Sequence, residues 1–354
     1  MTRINEWLGT ALPLIQAPMA GVQGHAVAAA VCEAGGLGSL PCATLGVEAM
    51  VQELHAMRAR TQRPFNVNFF CHTNPAPDAQ QDHTWRRALQ PYFDALGIDD
   101  PVIASGPARL PFSQAVADAV APFRPRVVSF HFGLPDAQLL AQVKSWGAVV
   151  LSSATTVDEA LWLQAHGADA IIAQGLEAGG HRGMFLSDDL TQQLGTWALL
   201  PQIVDAVRLP VIAAGGIADA RGVAAAMAMG AAGVQVGTAY LLCDEAQTSP
   251  LHRAALQSAG AAHTALTRLF TGRPARGIMN RLMRELGPLN PVAPAFPLAA
   301  NALAPLRALA ESGGCDDFTP LWAGQNVRGC RATSAADITQ SLAAGFSRTT
   351  VCAH

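Results

Sequence analysis

The sequence carries little charge and few aromatic side chains. Of its 354 residues, 14% are charged and 6% are aromatic, and tyrosine occurs only as Tyr92 and Tyr240. The 23 lysine and arginine residues nearly balance the 26 acidic residues, and no block of like charge stands out. Nucleic acid and anionic membrane surfaces are therefore not expected as main partners. Because half of the residues are hydrophobic, the composition also excludes a disordered chain and suits a compact α/β enzyme.

The sequence also lacks paired cysteines and an apolar leader. Its seven cysteines are odd in number and none forms a C-x-x-C pair, so we expect reduced thiols, no disulfide framework and no metal site in a cytoplasmic protein. The first six residues include an acidic side chain and no apolar run, which argues against secretion. Residues 222–242 are uncharged over about the length of a bilayer span, but their glycines predict a buried helix followed by a buried strand.

Short apolar runs recur along the first 240 residues, separated by Ala- and Leu-rich segments that suit helices. We predict strands at 14–19, 37–40, 65–70, 127–132, 148–152, 170–173, 211–214 and 234–236. Apolar strands that alternate with helices indicate a parallel sheet, and eight such units are the number that closes a (β/α)₈ TIM barrel. The predicted fold is therefore an α/β barrel over residues 1–242, with a doubly wound sheet as the alternative.

Two regions do not fit the strand–helix repeat. Residues 73–125 are too long for one crossover helix and contain several prolines, so we expect extra helices over one barrel rim. Helical segments are predicted again around 250–262 and 276–285, before a Pro- and Ala-rich stretch at 288–297. We predict a small helical substrate or lid subdomain at 243–304, followed by C-terminal helices at 305–354 that return to the barrel.

Glycines follow the last two predicted barrel strands. The seventh strand ends at Gly215 and Gly216, and the eighth leads into Gly237 and Thr238. Glycine lets backbone N–H groups approach an anion closely, and the loops after strands seven and eight form the usual phosphate site of this fold. These loops predict phosphate binding, with a tight turn that binds nothing as the alternative.

A histidine lies in the glycine-rich loop after the sixth predicted strand. The loop reads Gln174-Gly175-Leu176-Glu177-Ala178-Gly179-Gly180-His181-Arg182-Gly183. An imidazole between glycines has little to pack against and is free to meet a ligand. With an ordinary pKa near 6.5, neutral His181 is a competent base at cellular pH. We predict that His181 is the catalytic base, and the alternative is a loop histidine that only bonds the backbone.

Three further strand ends carry polar or polarisable side chains. His131 alternates with aromatic neighbours, so its ring either points into the barrel mouth or is a satisfied core histidine. Met19 ends the first predicted strand and can lie against a flat ring or fill a gap in the core. Asn66 and Asn68 share one face of the third strand, and the Asn68 amide suits the edge of a heterocycle or a backbone cap.

Taken together, these runs resemble the nitronate monooxygenase family, flavin barrel enzymes formerly called 2-nitropropane dioxygenases. The likeness extends in order from Pro13 to Leu242, and residues 321–325 (Leu-Trp-Ala-Gly-Gln) also look familial. Its sharpest element is the loop 177–183, supported by 129–133 (Ser-Phe-His-Phe-Gly) and 153–156 (Ser-Ala-Thr-Thr).

The resemblance implies that FMN lies across the barrel mouth. Its isoalloxazine would meet Met19, Asn68 and Gln174, and its phosphate would meet Gly179, Gly216, Gly237 and Thr238. The remaining candidates for cofactor contact are Gly180, Gly215, Gln235 and Val236. His181 takes the position of the family's catalytic base, near the substrate and flavin N5, and no metal is implied.

The family oxidises alkyl nitronates such as propionate 3-nitronate with dioxygen, through electron transfer to FMN and a nitronate radical, to a carbonyl product and nitrite. Family members with this histidine loop tend to line the substrate cavity with tyrosines. Here Phe296 stands in the Pro-flanked region where a tyrosine is expected. Phe296 and His131 are therefore the substrate-pocket candidates, and nitroalkanes are a further substrate class to consider.

Two other enzyme classes remain open from the sequence. One uses the same FMN barrel to reduce a quinone or an enoyl thioester with NAD(P)H, and the missing GxGxxG fingerprint does not exclude it because such barrels bind nicotinamide without one. The other is a phosphate-sugar isomerase or lyase. The expected partners are a small nitronate and dioxygen, and the expected assembly is a monomer or a homodimer.

Overall fold

A barrel of eight parallel strands forms the centre of the computed structural model, which describes residues 4–76, 78–104 and 109–347. In chain order the strands are β1 (Leu14–Gln16), β2 (Ser39–Pro41), β3 (Asn66–Phe70), β4 (Val127–His131), β5 (Val149–Ala154), β6 (Ala170–Gln174), β7 (Gly180–His181), β8 (Val211–Ala214), β9 (Gly233–Val236), β10 (Thr264–Thr267) and β11 (Ala275–Ile278). The barrel strands are neighbours in the order β1–β9–β8–β6–β5–β4–β3–β2.

Contacts between β1 and Leu37, two residues before β2, close the barrel. Ile15 bridges Leu37, and the Leu37 N–H donates to the carbonyl oxygen of Leu14 at 2.8 Å. On its other side β1 pairs in parallel with β9, with Leu14 opposite Val234. The predicted TIM barrel is confirmed, and the doubly wound alternative is wrong because the last barrel strand returns to the first.

Alternating side chains of the strands build two separate cores. Ile15, Leu151 and Ile172 pack inside the barrel, where Ile4 and Leu8 of the first helix join the same cluster. Their strand neighbours point outward against the helices and are equally buried, for example Leu14, Val150 and Ile171. Burial on both faces explains why these strands appear in the sequence as continuous apolar runs.

Thirteen α-helices surround the strands in the described part of the chain. They are α1 (Ile4–Leu8), α2 (His25–Glu33), α3 (Val47–Arg60), α4 (Ala79–Ala95), α5 (Gln114–Val120), α6 (Ala137–Ser145), α7 (Val157–Ala165), α8 (Thr196–Ala206), α9 (Ala220–Ala228), α10 (Pro250–Gln257), α11 (Arg281–Leu286), α12 (Ala299–Ser312) and α13 (Ala335–Ala343). Several begin at a side-chain cap; Asp136, for example, accepts from the Leu139 N–H at 2.9 Å. The uncharged stretch 222–242 contributes to α9 and β9, as predicted.

The two regions outside the repeat pack against each other. From the first region, α5 packs against α3 and α6 as a crossover helix, whereas α4 packs against α12. Trp85 on α4 is fully buried there, and its Nε1–H donates to the Ala299 carbonyl oxygen at 3.1 Å. Near the C-terminus, α13 packs against α2 and α9 of the barrel. The division of the chain at 243 and 305 stays a prediction.

Residues 243–304 are not wholly helical as the sequence suggested. β10 and β11 pair antiparallel, and β11 also pairs with β7, which brings Ala275 opposite His181. The helix predicted over 276–285 is wrong in its first part, since β11 takes residues up to Ile278 and α11 begins at Arg281. Pairing with two distant strands overrides local helix preference here.

The described cysteines are free thiols, and burial raises the pKa of Cys32 and of Cys42 to about 12; Cys352 lies outside the described residues. Within 4–76, 78–104 and 109–347, no cluster of three or more His, Cys, Asp or Glu side chains could hold a metal ion. No helix in those ranges has the length and apolarity needed to cross a membrane.

Close packing at Gly38 predicts a large effect on stability. A Cβ there would overlap the carbonyl oxygen of Ala28 and lie 2.6 Å from its carbonyl carbon, so the backbone of α2 or β2 would have to move. We expect Gly38→Ala to reduce the free energy of unfolding by about 3 kcal/mol or more. Gly46→Ala is the control, because its Cβ would meet only Glu48 Oε2 at 4.0 Å, and about 1 kcal/mol or less is expected. Urea denaturation giving equal stabilities would contradict this packing.

Candidate active site

A cleft opens at the carboxyl-terminal ends of the barrel strands. Residues from β3, β4, β6 and β9, the loops after β1, β6, β8 and β9, and the C-terminal segment 322–326 form its walls. Most of the residues predicted from the sequence line it together: Met19, Asn68, His131, Gln174, Gly179, Gly180, His181, Gly215, Gly216, Gln235, Gly237 and Thr238. The end of a parallel barrel at which strands terminate is where this fold places its chemistry.

Two predicted site residues do not line this cleft. The Val236 side chain is 1% exposed and packs in the outer core, because alternation along β9 turns it away from the side on which Gln235 faces the cleft. Phe296 is also buried, but its ring lies against His181 with the ring centres 5.4 Å apart. Phe296 therefore stands behind the cleft wall and supports the histidine.

Glycines bring the loops of the cleft into close contact. Gly215 and Gly216 have φ angles of +120° and +71°, in the left-handed region that glycine adopts readily. A Cβ on Gly179 would lie 2.5 Å from the Gly324 nitrogen. Thr238 Oγ1 accepts from the Gly324 N–H at 2.9 Å. The loop after β6, the turn after β9 and the C-terminal segment thus meet around one end of the cleft.

His181 lies on β7, where the second sheet meets the barrel. Its Nε2 is 3.0 Å from Thr271 Oγ1. Its ring is surrounded by aromatic side chains with ring centres 5.4–6.1 Å away: Phe70, Phe132, Phe296 and Trp322. The histidine predicted as the base is thus neither a free loop side chain nor a surface one.

The electrostatic surroundings of His181 are basic. Burial is the main reason why the pKa of His181 lies well below 6.5. Four neighbours lower it further: Arg109, His131, Arg273 and His72. In the described ranges, no carboxylate contributes to this shift of the pKa. The imidazole is therefore neutral at pH 7, inside a cluster that favours an anionic ligand.

His131 and Gln174 hold the backbone of His181. His131 Nε2 and Gln174 Nε2 lie 3.1 and 2.9 Å from the His181 carbonyl oxygen. Since a carbonyl only accepts, His131 carries its proton on Nε2, and its Nδ1 accepts from Ser153 Oγ at 3.0 Å. Burial lowers the pKa of His131 to about 4, with lesser effects from its neighbours. Both ring nitrogens of this substrate-pocket candidate are thus engaged within the protein.

The amide side chains at and below the cleft have some polar atoms with hydrogen-bond partners and some without. Asn68 Nδ2 donates to Ser129 Oγ at 3.0 Å, and Asn66 donates to the same hydroxyl at 2.9 Å, so the two share one face as predicted. The Asn66 Oδ1 atom is buried without a hydrogen-bond partner, and so is Oε1 of Gln235, a residue that lines the cleft. A ligand with an N–H group beside Gln235 would satisfy its Oε1 atom.

A buried arginine braces the loop after β6. Arg182 is fully buried and donates to the carbonyl oxygens of Gly175 and Gln174 at 2.6 and 2.7 Å. Burial lowers its pKa to about 9, although Glu159 and Glu177 act in the opposite direction. Sequence reasoning gave Arg182 no role, because its neighbours come from folded loop geometry and not from local spacing.

The structure shows further residues that the sequence did not single out. Arg109 lines the cleft from the region between β3 and β4, and Thr271 reaches His181 from the region before β11. Neither stands beside a motif that would have marked it. The two tyrosines are elsewhere: Tyr240 bonds Thr339 in the core at 2.9 Å, and Tyr92 lies on α4.

Comparison with known proteins assigns the family. A family model described as nitronate monooxygenase matches residues 2–345. The chain belongs to the nitronate monooxygenase family. The likeness inferred from the loop 177–183 is therefore confirmed, and the chain is an enzyme of the oxidoreductase class.

Two individual nitronate monooxygenases and one solved structure agree with this assignment. The chain is 42% identical over 344 residues to a nitronate monooxygenase of Paraburkholderia phytofirmans, covering 95% of this chain and 92% of the relative. A Pseudomonas aeruginosa nitronate monooxygenase is 40% identical over 349 residues, covering 96% and 97%. A solved nitroalkane oxidase from Streptomyces ansochromogenes superposes with a TM-score of 0.89 at 39% identity, covering 98% of this chain and 99% of that one.

Nitronate monooxygenases are FMN-dependent, and the cleft fits this cofactor. The unpartnered Gln235 oxygen suits the N–H group on the edge of a flavin ring. Gly216 and Gly237 occupy the position where this fold binds phosphate, and a Cβ on Gly237 would lie 3.2 Å from Ala17 Cβ and 3.5 Å from Met19 Sδ. Met19 thus lies beside the glycine turn, at the end of the cleft where phosphate binding is predicted.

Proposed function

We propose that this member of the nitronate monooxygenase family oxidises alkyl nitronates with dioxygen, using FMN, and that His181 also removes the proton from neutral nitroalkanes. Carbonyl compound and nitrite are the products. The small-molecule substrate follows from the family. Dioxygen as co-substrate, a cytoplasmic location and a monomeric or homodimeric state are parts of the same proposal.

The neutral imidazole of His181 within a basic cluster is the observation that carries the proposal. An uncharged ring can accept a proton, whereas the guanidinium groups of Arg109 and Arg273 attract the negative charge that appears when a nitroalkane loses its proton. The same positive surroundings favour a nitronate, which is already an anion. The site therefore discriminates by charge, without the tyrosine hydroxyl that the family pattern led us to expect.

The residues around the cleft fall into two groups, those that would hold FMN and those that position His181. Bound FMN supplies the electron acceptor. The turns at Gly216 and Gly237 would hold its phosphate, and Gln235 and Met19 would hold its ring. His131 and Gln174 fix the backbone of His181, and the aromatic side chains behind it exclude water from the proton-transfer step.

The reductase alternative shares this fold. The enoyl reductase domain of MlnA from Bacillus amyloliquefaciens superposes with a TM-score of 0.53 at 18% identity, covering 85% of this chain and 68% of that one. At that identity the likeness concerns the fold alone. The two candidate functions differ in their electron donor, which is a nitronate or NAD(P)H, and in their acceptor, which is dioxygen or a quinone or enoyl thioester.

Flavin reduction distinguishes these functions. We expect the purified protein to be yellow, to release FMN on denaturation and, without oxygen, to lose flavin absorbance on mixing with propyl 1-nitronate. In air the same mixture should produce nitrite. NADH and NADPH, each tested alone, serve as the matched reductants and should leave the spectrum unchanged over the same time. Rapid bleaching by a nicotinamide and none by the nitronate would reverse the assignment, and released FAD would refute FMN.

A further inference from the structure

The His181 ring is tied to a hydroxyl from the region outside the barrel. Thr271 is 2% exposed and lies in the turn that leads into β11. A Cβ on the next residue, Gly272, would overlap the Pro294 carbonyl oxygen and lie 2.6 Å from the Ala295 carbonyl carbon. The backbone of this turn thus packs directly against the segment that carries Phe296. This close packing fixes the position of the Thr271 hydroxyl.

All three contacts of this hydroxyl can be made at once with only one direction of the bond to His181. Thr271 Oγ1 lies 3.4 Å from the Arg273 nitrogen, which can only donate, and 3.4 Å from the Arg273 carbonyl oxygen, which can only accept. A hydroxyl has one proton and two acceptor positions. If that proton goes to the Arg273 carbonyl, the contact with His181 is made by an Nε2–H that donates to Thr271. The opposite direction would leave the Arg273 carbonyl contact unmade.

We propose that Thr271 is a positioning residue that holds His181 with its proton on Nε2, so that Nδ1 is the atom that accepts the substrate proton. The inference rests on the proposed base role of His181. Among the described residues, Nδ1 makes no hydrogen bond, and it is not among the buried polar atoms without a partner. Because the side chain lines the cleft, Nδ1 is the ring nitrogen that is open to a substrate.

The proposed step transfers one proton from the substrate to His181. Nδ1 of neutral His181 takes the proton from the carbon that bears the nitro group. The electron pair of the C–H bond stays on the substrate, which becomes the nitronate anion, and the ring becomes an imidazolium with a proton on each nitrogen. His131 and His72, which face the ring, have lowered pKa values and are neutral at pH 7. The charged groups that face the ring are therefore the guanidinium groups of Arg109 and Arg273. They stabilise the nitronate and hasten the return of the proton to solvent.

Substitution of Thr271 tests this role. Thr271→Val keeps the shape but cannot accept the Nε2–H, so both ring tautomers should form. We expect kcat/KM for nitroethane to fall roughly 10- to 100-fold, within the range of acid–base catalysis, while kcat/KM for ethyl nitronate changes less than about 3-fold. Thr271→Ser, which keeps the hydroxyl, should restore the ratio of the two. Thr267→Val is the matched control, since Thr267 is buried in the same region and bonds Leu269, not His181.

The tautomer itself can be read on the unaltered holoenzyme. In ¹⁵N-histidine-labelled protein, His181 should show a protonated Nε2 and an unprotonated Nδ1, and Thr271→Val should show averaged shifts. A protonated Nδ1 in the wild-type enzyme would overturn the inference, and this result does not depend on whether the valine variant folds. A Thr271→Val enzyme whose ratio of kcat/KM for nitroethane to kcat/KM for ethyl nitronate is unchanged would also overturn it. If the wild-type enzyme oxidises neither substrate, the proposed function fails, and the NMR result still decides the role of Thr271.

Discussion

Replacing His181 by asparagine is expected to reduce turnover of a neutral nitroalkane by roughly 10²- to 10⁴-fold while FMN stays bound, the range usual for one acid–base group. Asparagine fits the space of the ring but cannot take up a proton. The pKa of His181 is lowered by burial and its basic neighbours, so the ring is in its base form at pH 7 and is protonated only as the pH falls well below 6.5. Nitrite release from nitroethane at pH 7.5 measures the loss.

Ethyl nitronate separates a base from an orienting group. A preformed nitronate needs no deprotonation, so a deficit confined to nitroethane identifies His181 as a base. An equal deficit with both substrates would assign it to positioning or to charge stabilisation. His166→Asn is the control, because that histidine is exposed and stacks on Trp162 at 3.8 Å. Wild-type rates of His181→Asn with both substrates would refute the mechanism.

Most of the barrel can be predicted from the sequence because its signals are local. Each predicted strand is a mainly apolar run of three to six residues bounded by glycine, proline or polar residues, and 211–214 coincides with β8. Helix capping and glycine turns are likewise encoded within a few residues. The catalytic end of a parallel barrel then follows from the fold itself, which explains why Gly216 and Gly237 line the cleft as expected.

The support around His181 could not be predicted in the same way. β7 has only two residues, and its partner β11 lies about 95 residues further along the chain. Thr271 has no sequence signal, since buried threonines serve many purposes. Pairing and hydrogen bonding over such distances depend on the complete fold.

Some predicted ligand contacts serve the protein itself in the structure. Gln174, expected beside the flavin, donates to the His181 carbonyl oxygen and accepts from the Gly183 N–H at 2.7 Å. His131 uses both ring nitrogens in the same network. The location of these residues could be predicted, because polar side chains concentrate at this end of the barrel. Their hydrogen-bond partners could not be predicted from the residue type. Their contacts with FMN or substrate stay predictions.

The second large effect is expected at the phosphate turn. Gly216→Asp should yield a protein that purifies without FMN and binds added FMN at least 100-fold more weakly. A carboxylate at about 5 Å from a phosphate costs roughly 3 kcal/mol for each unit of phosphate charge at an effective dielectric constant of 20. Gly216 is better suited to this test than Gly237, because a Cβ there meets only Glu177 Cβ at 3.4 Å and Cγ at 3.6 Å. Fluorescence titration with FMN measures the affinity.

Gly216→Asn separates charge from shape. Asparagine has the size of aspartate, and both tolerate the left-handed backbone at φ +71° better than other side chains do. The nearby Glu177 carboxylate accepts from the N–H and the hydroxyl of Thr196 at 2.8 and 2.7 Å. Glu177 is present in both variants, so the charge of the aspartate is the difference between them. We expect the asparagine variant to keep FMN with a much smaller loss than the aspartate variant. Equal losses in both would show that backbone geometry alone is at stake, and full FMN occupancy in Gly216→Asp would place the phosphate elsewhere in the cleft.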